Sequence, residues 1–194
     1  MGKIFYIMGK SAVGKDHIYS ALRSDPEIPA EPLVLYTTRP MREGEENGRE
    51  YFFTDEKHLE ELRTKGRIIE ERCYQTVYGP WYYFTADDGQ IREDRDYLGI
   101  GTLESFVQLR RYFGKERVLP IYIEVDDGLR LERALKRERK QPEPKYEEMC
   151  RRFLADAADF SEEKIREASI ERRFRNDGEI GDCVLEAKRF ILGE

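Results

Sequence analysis

A glycine-containing segment near the amino terminus constrains the fold more than any other part of this sequence. Residues 9–16 read GKSAVGKD and lie between an apolar run at 4–8 and an amphipathic stretch. The spacing GxxxxGK lets the backbone wrap closely around a phosphate, with N–H groups and a helix N-terminus directed at it. Lys15 would then contact the outer phosphates of a nucleotide. The segment predicts a strand, a phosphate-binding loop and a helix; an ordinary glycine-containing turn is the alternative.

Short apolar runs alternate with longer amphipathic stretches along the rest of the chain. This alternation is typical of a parallel sheet flanked by helices, so we predict an α/β fold. Strands are predicted at 3–8, 32–37, 96–100 and 117–125, with a weaker one at 170–175. Helices are predicted from 14 to before Pro26, from 54 to 66, and over 102–113, 128–140, 145–158, 161–168 and 179–192.

Two regions interrupt the alternation and predict a small inserted α+β subdomain across about residues 36–90. Residues 38–50 are polar and carry charges of both signs. Residues 67–85 are predicted to form short antiparallel strands that meet at the turn Val77-Tyr78-Gly79-Pro80. The core of a single domain would then comprise about residues 1–35 and 91–194.

The composition excludes several classes of function. The 194 residues contain 34 Lys and Arg against 40 Asp and Glu, which gives a net charge of -6. This acidic balance argues against binding duplex nucleic acid through its phosphates. Three scattered cysteines indicate a reducing compartment, and the apolar run at 4–8 is far shorter than the ~20 residues of a membrane span. We therefore expect a cytoplasmic chain with neither nucleic acid nor membrane as a partner.

Asp16 stands where a phosphate-binding loop usually has Ser or Thr. A carboxylate suits a hard cation such as Mg²⁺, whereas without a metal it would repel the phosphates. We hypothesise that Asp16 ligates Mg²⁺ directly or through water. The alternative is that Asp16 stabilises the dipole of the helix that begins here.

A second candidate anion site lies in residues 36–53, which read YTTRPMREGEENGREYFF. Arg39 and Arg42, three residues apart in an expected exposed loop, can hold a phosphate in a bidentate clamp. A nearby tyrosine hydroxyl would supply a further donor. Taken alone, the segment leaves a solvated, charged loop as the alternative.

This string resembles the acceptor loop of the guanylate kinase family, which reads T-T-R-x-x-R-x-G-E-x-x-G-x-D-Y-x-F. The match includes both arginines, the Gly-Glu pair, the later glycine and the Tyr-x-Phe, with Glu50 in place of Asp. The resemblance continues along almost the full chain, at Ile68-Ile69-Glu70, Tyr78-Gly79, the basic segment 130–140, Arg151-Arg152 and Asn176-Asp177.

The resemblance implies a P-loop NTPase fold with an acceptor-binding insertion, a helical lid at about residues 130–152, and a reaction that uses ATP and Mg²⁺. By the same resemblance, GMP would be bound by Arg39, Arg42, Tyr51, Glu70 and Tyr78. The catalytic residues that it implies are Lys15, Arg133, Arg137 and Arg152. The residues that would bind ATP are Gly9, Lys10, Ser11, Ala12, Val13, Gly14, Lys15, Asp16 and Asn176.

The charge of the lid segment agrees with its assignment. Residues 130–140 carry six cations against two carboxylates in an otherwise acidic chain. Arg133 and Arg137 lie four residues apart, so they share a face of the predicted helix. A solvated helix face, with Glu132 and Glu138 as partners of these arginines, is the alternative.

The sequence departs from the family pattern where the acceptor base would be recognised. The family strand I-L-D-I-D corresponds to Tyr97–Gly101, so both acidic side chains are absent. Leu35 and Pro80 stand where small hydroxyl residues are expected. An apolar, glycine-lined site discriminates weakly between bases, and Gly99 and Gly101 would leave room for a displaced or larger base. Recognition by Glu70 and backbone groups alone is the alternative.

The sequence therefore predicts ATP-dependent phosphoryl transfer to a nucleoside monophosphate, with GMP and ATP giving GDP and ADP. One alternative is a monophosphate kinase with altered base specificity. Another is a non-catalytic guanylate kinase-like binding module, which the intact Gly9, Gly14 and Lys15 argue against.

Overall fold

Five parallel strands form the central sheet of the computed structural model, which describes residues 1–76 and 78–194. Their spatial order is β2-β7-β1-β8-β9. The first strand lies in the middle of the sheet and all five of its side chains are buried, which explains why this run is apolar on both faces. The strands are β1 (Ile4–Met8), β2 (Glu31–Pro32), β7 (Tyr97–Gly101), β8 (Val118–Glu124) and β9 (Arg173–Arg175).

Helices cover both faces of this sheet, so the predicted α/β fold is confirmed. One apolar layer contains Ile18 of α1 and Ala187 of α7, and the other contains Phe106 of α3 and Ile165 of α6. Within residues 1–76 and 78–194, none of the helices combines the length and the apolar character that crossing a bilayer requires. The helices are α1 (Lys15–Arg23), α2 (Glu56–Thr64), α3 (Leu103–Phe113), α4 (Asp127–Glu138), α5 (Tyr146–Asp159), α6 (Glu162–Glu167) and α7 (Ile180–Leu192).

A second sheet of four strands, in the order β4-β3-β6-β5, is built from the segment between β2 and β7. Its longest strands pair as an antiparallel hairpin. Leu59 and Leu62 of α2 pack against one face of this sheet, in a cluster with Phe84 and Ala86. The strands are β3 (Tyr36–Thr37), β4 (Phe52–Phe53), β5 (Ile68–Thr76) and β6 (Gly79–Ala86).

Three local predictions are corrected by the structure. The strand predicted at 32–37 is two strands, because β2 ends in the central sheet at Pro32 and β3 begins in the second sheet at Tyr36. The helix predicted from residue 54 begins at Glu56, where the Asp55 side chain accepts a hydrogen bond from the backbone N–H of His58 at 2.8 Å. The strands predicted to be short at 67–85 are nine and eight residues long. The turn predicted between them includes Val77, which lies outside the described residues.

Candidate active site

The loop between β1 and α1 has a backbone conformation that suits the binding of an anion. Ala12 and Gly14 adopt left-handed φ angles of 65° and 87°, and turns of this kind direct successive N–H groups into one concavity. A Cβ atom at Gly14 would lie 2.8 Å from Nδ2 of Asn176, and one at Gly9 would lie 2.5 Å from the carbonyl oxygen of Ile123. Both close approaches require glycine, which accounts for the GxxxxGK spacing.

A cavity of about 340 Å³ opens at the N-terminus of α1. Lys15 lines it together with Arg133 and Arg137 of α4. Arg133 donates a hydrogen bond to the carbonyl oxygen of Asn176 at 2.9 Å, and Nδ2 of Asn176 donates to the carbonyl oxygen of Val13 at 2.8 Å. The structure thus brings the phosphate loop, two of the predicted lid arginines and Asn176 to one cavity.

Lys15 also borders a second cavity, of about 1040 Å³. Gly101 at the end of β7, Tyr74 of β5 and Arg152 of α5 line this larger cavity as well. Among the residues that the structure describes, Lys15 is the only one that lines both cavities. Lys15 therefore lies between the smaller cavity, which Asn176 also lines, and the larger cavity, which Tyr74 of the second sheet also lines.

The third predicted lid arginine, Arg152, approaches from α5 rather than α4. Its Nε donates to Glu148 at 2.8 Å, and Arg151 donates to the same carboxylate at 2.7 and 2.8 Å. These two guanidinium groups lower the pKa of Glu148 to about 2. Arg152 and Arg137 line opposite sides of a cleft of about 490 Å³ between α4 and α5. The predicted arginines therefore come from two helices that flank one cleft.

A network of ion pairs that sequence reasoning missed ties the phosphate loop to α4 and α5. Nη1 of the fully buried Arg130 donates to Oδ2 of Asp156 at 2.9 Å, and the same oxygen accepts the backbone N–H of Ser11 at 2.9 Å. Lys10 pairs with Asp127 at 3.2 Å, and Asp127 also accepts from Nε of Arg130 at 3.0 Å. Two predicted ATP contacts, Lys10 and Ser11, are thus engaged by side chains of the protein itself.

The predicted clamp for the acceptor phosphate differs from an exposed loop. Arg39 is only 4% exposed and donates to the carboxylate of Glu45 at 2.7 and 3.0 Å. Its guanidinium also lies 5.5 Å from the ring centres of Tyr51 and Phe53. The hydrogen bonds from Arg39 lower the pKa of Glu45 to about 2. The expectation of exposure is correct for Arg42 and wrong for Arg39, because apolar rings and Glu45 enclose the latter.

Glu70 is buried on β5 and already has partners. Its carboxylate accepts from the hydroxyl of Thr85 at 2.9 Å and from Nε and Nη2 of Arg72 at 3.1 and 3.5 Å. Burial raises the pKa of Glu70, while the charge of Arg72 acts in the opposite direction. Sequence reasoning did not single out Arg72. The signal was available, because residues two apart in a strand point to the same face of the sheet.

Tyr78, by contrast, stays apart from the other predicted acceptor residues. Its side chain is 82% exposed and stacks on Trp81, with 6.2 Å between ring centres. The Tyr51 ring packs instead against Tyr83, at 5.6 Å. Within the described residues Tyr78 forms no contact with Arg39, so its predicted role in binding the acceptor phosphate stays a prediction.

The donor set for a metal ion is sparse. No group of three or more His, Cys, Asp and Glu side chains that could hold a metal occurs in residues 1–76 and 78–194. Asp16 lies exposed in the first turn of α1, next to Lys15. Mg²⁺ in proteins is commonly held by one or two carboxylates together with phosphates of the substrate. The residues therefore fit a metal that binds with a phosphate ligand.

Comparison with known proteins finds similarity to guanylate kinases over part of the chain. A family model described as guanylate kinase matches residues 1–88. The guanylate kinase of Vibrio vulnificus (strain YJ016) is 37% identical over 82 residues, which make up 42% of this chain and 38% of that protein. The guanylate kinase of Chromobacterium violaceum is 30% identical over 116 residues, or 58% of this chain and 53% of the relative.

The amino-terminal part of the chain is thus similar to guanylate kinases. Its sequence matches cover well under two thirds of the length of these relatives, 38% in the Vibrio protein and 53% in the Chromobacterium protein. Beyond the matched segment the likeness is one of fold. A guanylate kinase structure from Anaplasma phagocytophilum covers 99% of this chain, and this chain covers 85% of that one, with a TM-score of 0.61 and 20% identity. An uncharacterized protein from Eubacterium ventriosum matches over 100% of both chains, with a TM-score of 0.50 and 10% identity.

A tyrosine of β1 fills the space beside Gly99 and Gly101 of β7, where the resemblance to guanylate kinases would place two carboxylates. Tyr6 of β1 pairs in register with Gly99 of β7. A Cβ atom at Gly99 would lie 2.7 Å from the Tyr6 ring, and one at Gly101 would overlap the Tyr6 hydroxyl. That hydroxyl is buried and shares a 2.7 Å hydrogen bond with Ser105. The expectation that the glycines leave room for a larger base is therefore wrong, because the Tyr6 ring occupies that room.

Substituting Gly101→Ala is expected to lower the free energy of unfolding by about 1–3 kcal/mol, the usual cost of overpacking a filled interior. The added methyl group would overlap the Tyr6 hydroxyl and lie 2.9 Å from the Ser105 hydroxyl. Chemical denaturation measures the change, and Gly178→Ala is the control because nothing lies within 4 Å of its Cβ position and it lies outside the helices. In a double-mutant cycle, Tyr6→Leu should recover part of the loss. Strict additivity of the two substitutions would contradict the packing argument.

Proposed function

We propose that this chain transfers the terminal phosphoryl group of ATP to a nucleoside monophosphate, with GMP and ATP giving GDP and ADP. The observation that carries the proposal is the position of Lys15 between the two cavities. The smaller cavity adjoins the phosphate loop and Asn176, which suits the donor. The larger cavity extends from Lys15 to Tyr74 of the second sheet, and we propose it for the acceptor although none of the five predicted GMP-binding residues lines it.

The donor side offers groups of the right chemistry for ATP. The loop at residues 9–14 presents N–H groups, and the N-terminus of α1 adds a positive dipole. Oδ1 of Asn176 is buried and has no hydrogen-bond partner within the described residues. Because an unpaired buried acceptor is costly, a donor group of the bound nucleotide is a suitable partner for it. Arg133, Arg137 and Arg152 would close over the transferring phosphoryl group.

The acceptor side needs no general base. The attacking atom is a phosphate oxygen, which is largely deprotonated at neutral pH because its second pKa is about 6. The side chains have only to align this oxygen with the donor and offset the charge between them. Arg39, Arg42 and Tyr51 would hold the acceptor phosphate, with Tyr78 a further candidate. Binding would require Arg39 to exchange its contacts with Glu45 for phosphate oxygens.

Asp16 would hold Mg²⁺ together with phosphate oxygens of ATP, and the ion would supply positive charge at the transferring phosphoryl group. We assign Asp16 as its protein ligand. Substituting Asp16→Ala should raise the Mg²⁺ concentration needed for half-maximal ATP binding by about tenfold, as measured by calorimetry across a magnesium series. Asp182→Ala is the control, because Asp182 also lies in the first turn of a helix. If the magnesium dependence of Asp16→Ala is unchanged, Asp16 does not ligate the metal. Its carboxylate would then only stabilise the dipole of α1.

The substrates are tested directly with the wild-type chain. A coupled assay with ATP and each of GMP, dGMP, AMP, IMP, CMP and UMP measures the preference for the base. The proposal predicts transfer to GMP, and a large margin in favour of a base other than guanine would overturn that part. If the chain neither retains ATP nor phosphorylates any of these nucleotides, the kinase proposal fails and a non-catalytic binding module becomes the better description.

Altered base specificity is the second candidate, because Glu70 is already paired with Arg72. In either case we propose small-molecule nucleotides as the binding partners, with neither nucleic acid nor membrane among them. We place the reaction in the cytoplasm on the strength of the three scattered cysteines, which suit a reducing compartment.

A further inference from the structure

The pair formed by Glu70 and Arg72 lies on the face of the second sheet that carries the candidate acceptor residues. Arg72 pairs across the hairpin with Tyr83, and the Tyr83 ring packs 5.6 Å from that of Tyr51. Tyr51 in turn contacts Arg39. One continuous face therefore joins the proposed phosphate clamp to the ion pair, and the base of an acceptor would extend from the first to the second.

The carboxylate of Glu70 has little capacity left for a ligand. A carboxylate offers about four acceptor positions, and three of them are taken by Thr85 and by two nitrogens of Arg72. The Glu70 side chain is 0% exposed. A free carboxylate here would accept hydrogen bonds from the N–H groups of a base. In this chain the guanidinium of Arg72 takes those positions and neutralises the charge.

Arg72 retains donors that Glu70 does not use. Its Nε and Nη2 face the carboxylate, which leaves Nη1 with no partner in the part of the chain that the structure describes. A planar guanidinium matches two adjacent acceptors, such as O6 and N7 of a 6-oxopurine. A 6-aminopurine presents a donor in place of O6, so it does not match.

The neighbouring strand supplies no substitute carboxylate. Gly99 and Gly101 of β7 have no side chains, and the buried Tyr6 ring fills the space beside them. The hydroxyl of Tyr6 is itself engaged with Ser105. An exocyclic 2-amino group would therefore gain no hydrogen bond from a side chain at Gly99 or Gly101 of β7 itself.

We propose that Arg72 determines the base specificity of this site, by replacing carboxylate recognition with guanidinium recognition. The acceptors are 6-oxopurine nucleoside monophosphates as a class, and the 2-amino group that distinguishes GMP from IMP is not recognised. This inference rests on the proposed kinase function. It adds to that function the class of acceptor and the residue that selects it.

The first test uses the wild-type chain with GMP, IMP and AMP as acceptors. The values of kcat/KM for GMP and IMP should lie within about threefold of each other, because the 2-amino group of GMP forms no hydrogen bond with the site. If that group were bonded to a charged side chain, its absence in IMP would lower kcat/KM by about tenfold or more. AMP should be the poorest of the three. A preference of 100-fold or more for GMP over IMP overturns the inference while leaving the kinase function intact. Failure to phosphorylate any nucleotide refutes the kinase function instead.

The second test frees the carboxylate. In Arg72→Leu, the ratio of kcat/KM for GMP to that for IMP should rise about tenfold or more, because Glu70 can then accept the 2-amino group. Arg63→Leu is the matched control, since Arg63 pairs with the adjacent Glu71, which points to the other face of the sheet. An unchanged ratio in Arg72→Leu contradicts the inference.

The third test removes Glu70 and remains informative if Arg72→Leu does not fold. Glu70→Gln in the otherwise wild-type chain should leave the ratio of GMP to IMP use within about threefold of its starting value, because a paired carboxylate does not read the base. The double variant Arg72→Leu with Glu70→Gln buries no unpaired charge, and it should lose whatever preference for GMP the single Arg72 variant gains. A fall in GMP use confined to Glu70→Gln, with IMP use unchanged, would show that Glu70 reads the 2-amino group despite its partner.

Discussion

Replacing Lys15 with methionine is expected to lower kcat for phosphoryl transfer by about 100- to 1,000-fold, the usual loss when one well-placed hydrogen-bond donor to developing charge is removed from an active site. Lys15 borders both the proposed donor cavity and the proposed acceptor cavity, so its ammonium group would offset charge on a phosphoryl group that passes between them. Methionine keeps a long apolar stem and removes only the charge. The coupled assay with ATP and GMP measures the change.

Lys188→Met provides the control for this prediction. Lys188 lies on α7, pairs with Asp25 at 2.7 Å and lines neither cavity. Its kcat should stay within about twofold of wild type, since substitutions away from such sites have small effects. Thermal unfolding of Lys15→Met shows whether the fold is retained. A folded Lys15→Met variant with wild-type kcat would remove the basis for placing transfer between the two cavities.

The central sheet and the phosphate loop were predictable because both depend on local sequence. A strand buried on both faces has to be apolar throughout, which makes Ile4–Met8 recognisable without its neighbours. Gly9 and Gly14 are fixed by close backbone approaches, so their spacing also appears in the sequence. The string at 36–53, which resembles the acceptor loop of guanylate kinases, led in the same way to the prediction of an acceptor loop.

The contacts within the candidate site were less predictable, because they join residues that are far apart in sequence or compete for the same partner. The Asp156 carboxylate accepts a hydrogen bond from the backbone N–H of Ser11, which lies 145 positions away in the sequence. No spacing pattern in the sequence predicts such a pair. Arg39 was expected to be exposed in a loop and free to bind a phosphate, but in the structure it forms an ion pair with Glu45. The sequence alone suggested empty space beside the glycines of β7. The register of β1 with β7 places the Tyr6 side chain in that space.

Replacing Arg130 with methionine is expected to lower the free energy of unfolding by about 3–5 kcal/mol, the range measured when one partner of a buried ion pair is removed. Arg130 is fully buried, its guanidinium lies 3.9 Å from the centre of the Phe153 ring, and it donates to both Asp127 and Asp156. Methionine keeps the apolar contact with the ring. It leaves the Asp156 carboxylate, which is only 15% exposed, without its cation. Denaturation in guanidinium chloride measures the loss.

The double variant Arg130→Met with Asp156→Asn separates the charge effect from a loss of packing. If the unpaired carboxylate is the main cost, the double variant should be more stable than Arg130→Met alone, although it has lost one more native charge. Arg92→Met is the control, because the pair of Arg92 with Asp94 is exposed and such pairs contribute about 0–1 kcal/mol. Equal losses in Arg130→Met and Arg92→Met would mean that the buried network does not hold the phosphate loop against α4 and α5. A larger loss at Arg130 that Asp156→Asn relieves would show that the loop owes its position to a charge pair that no local sequence pattern reveals.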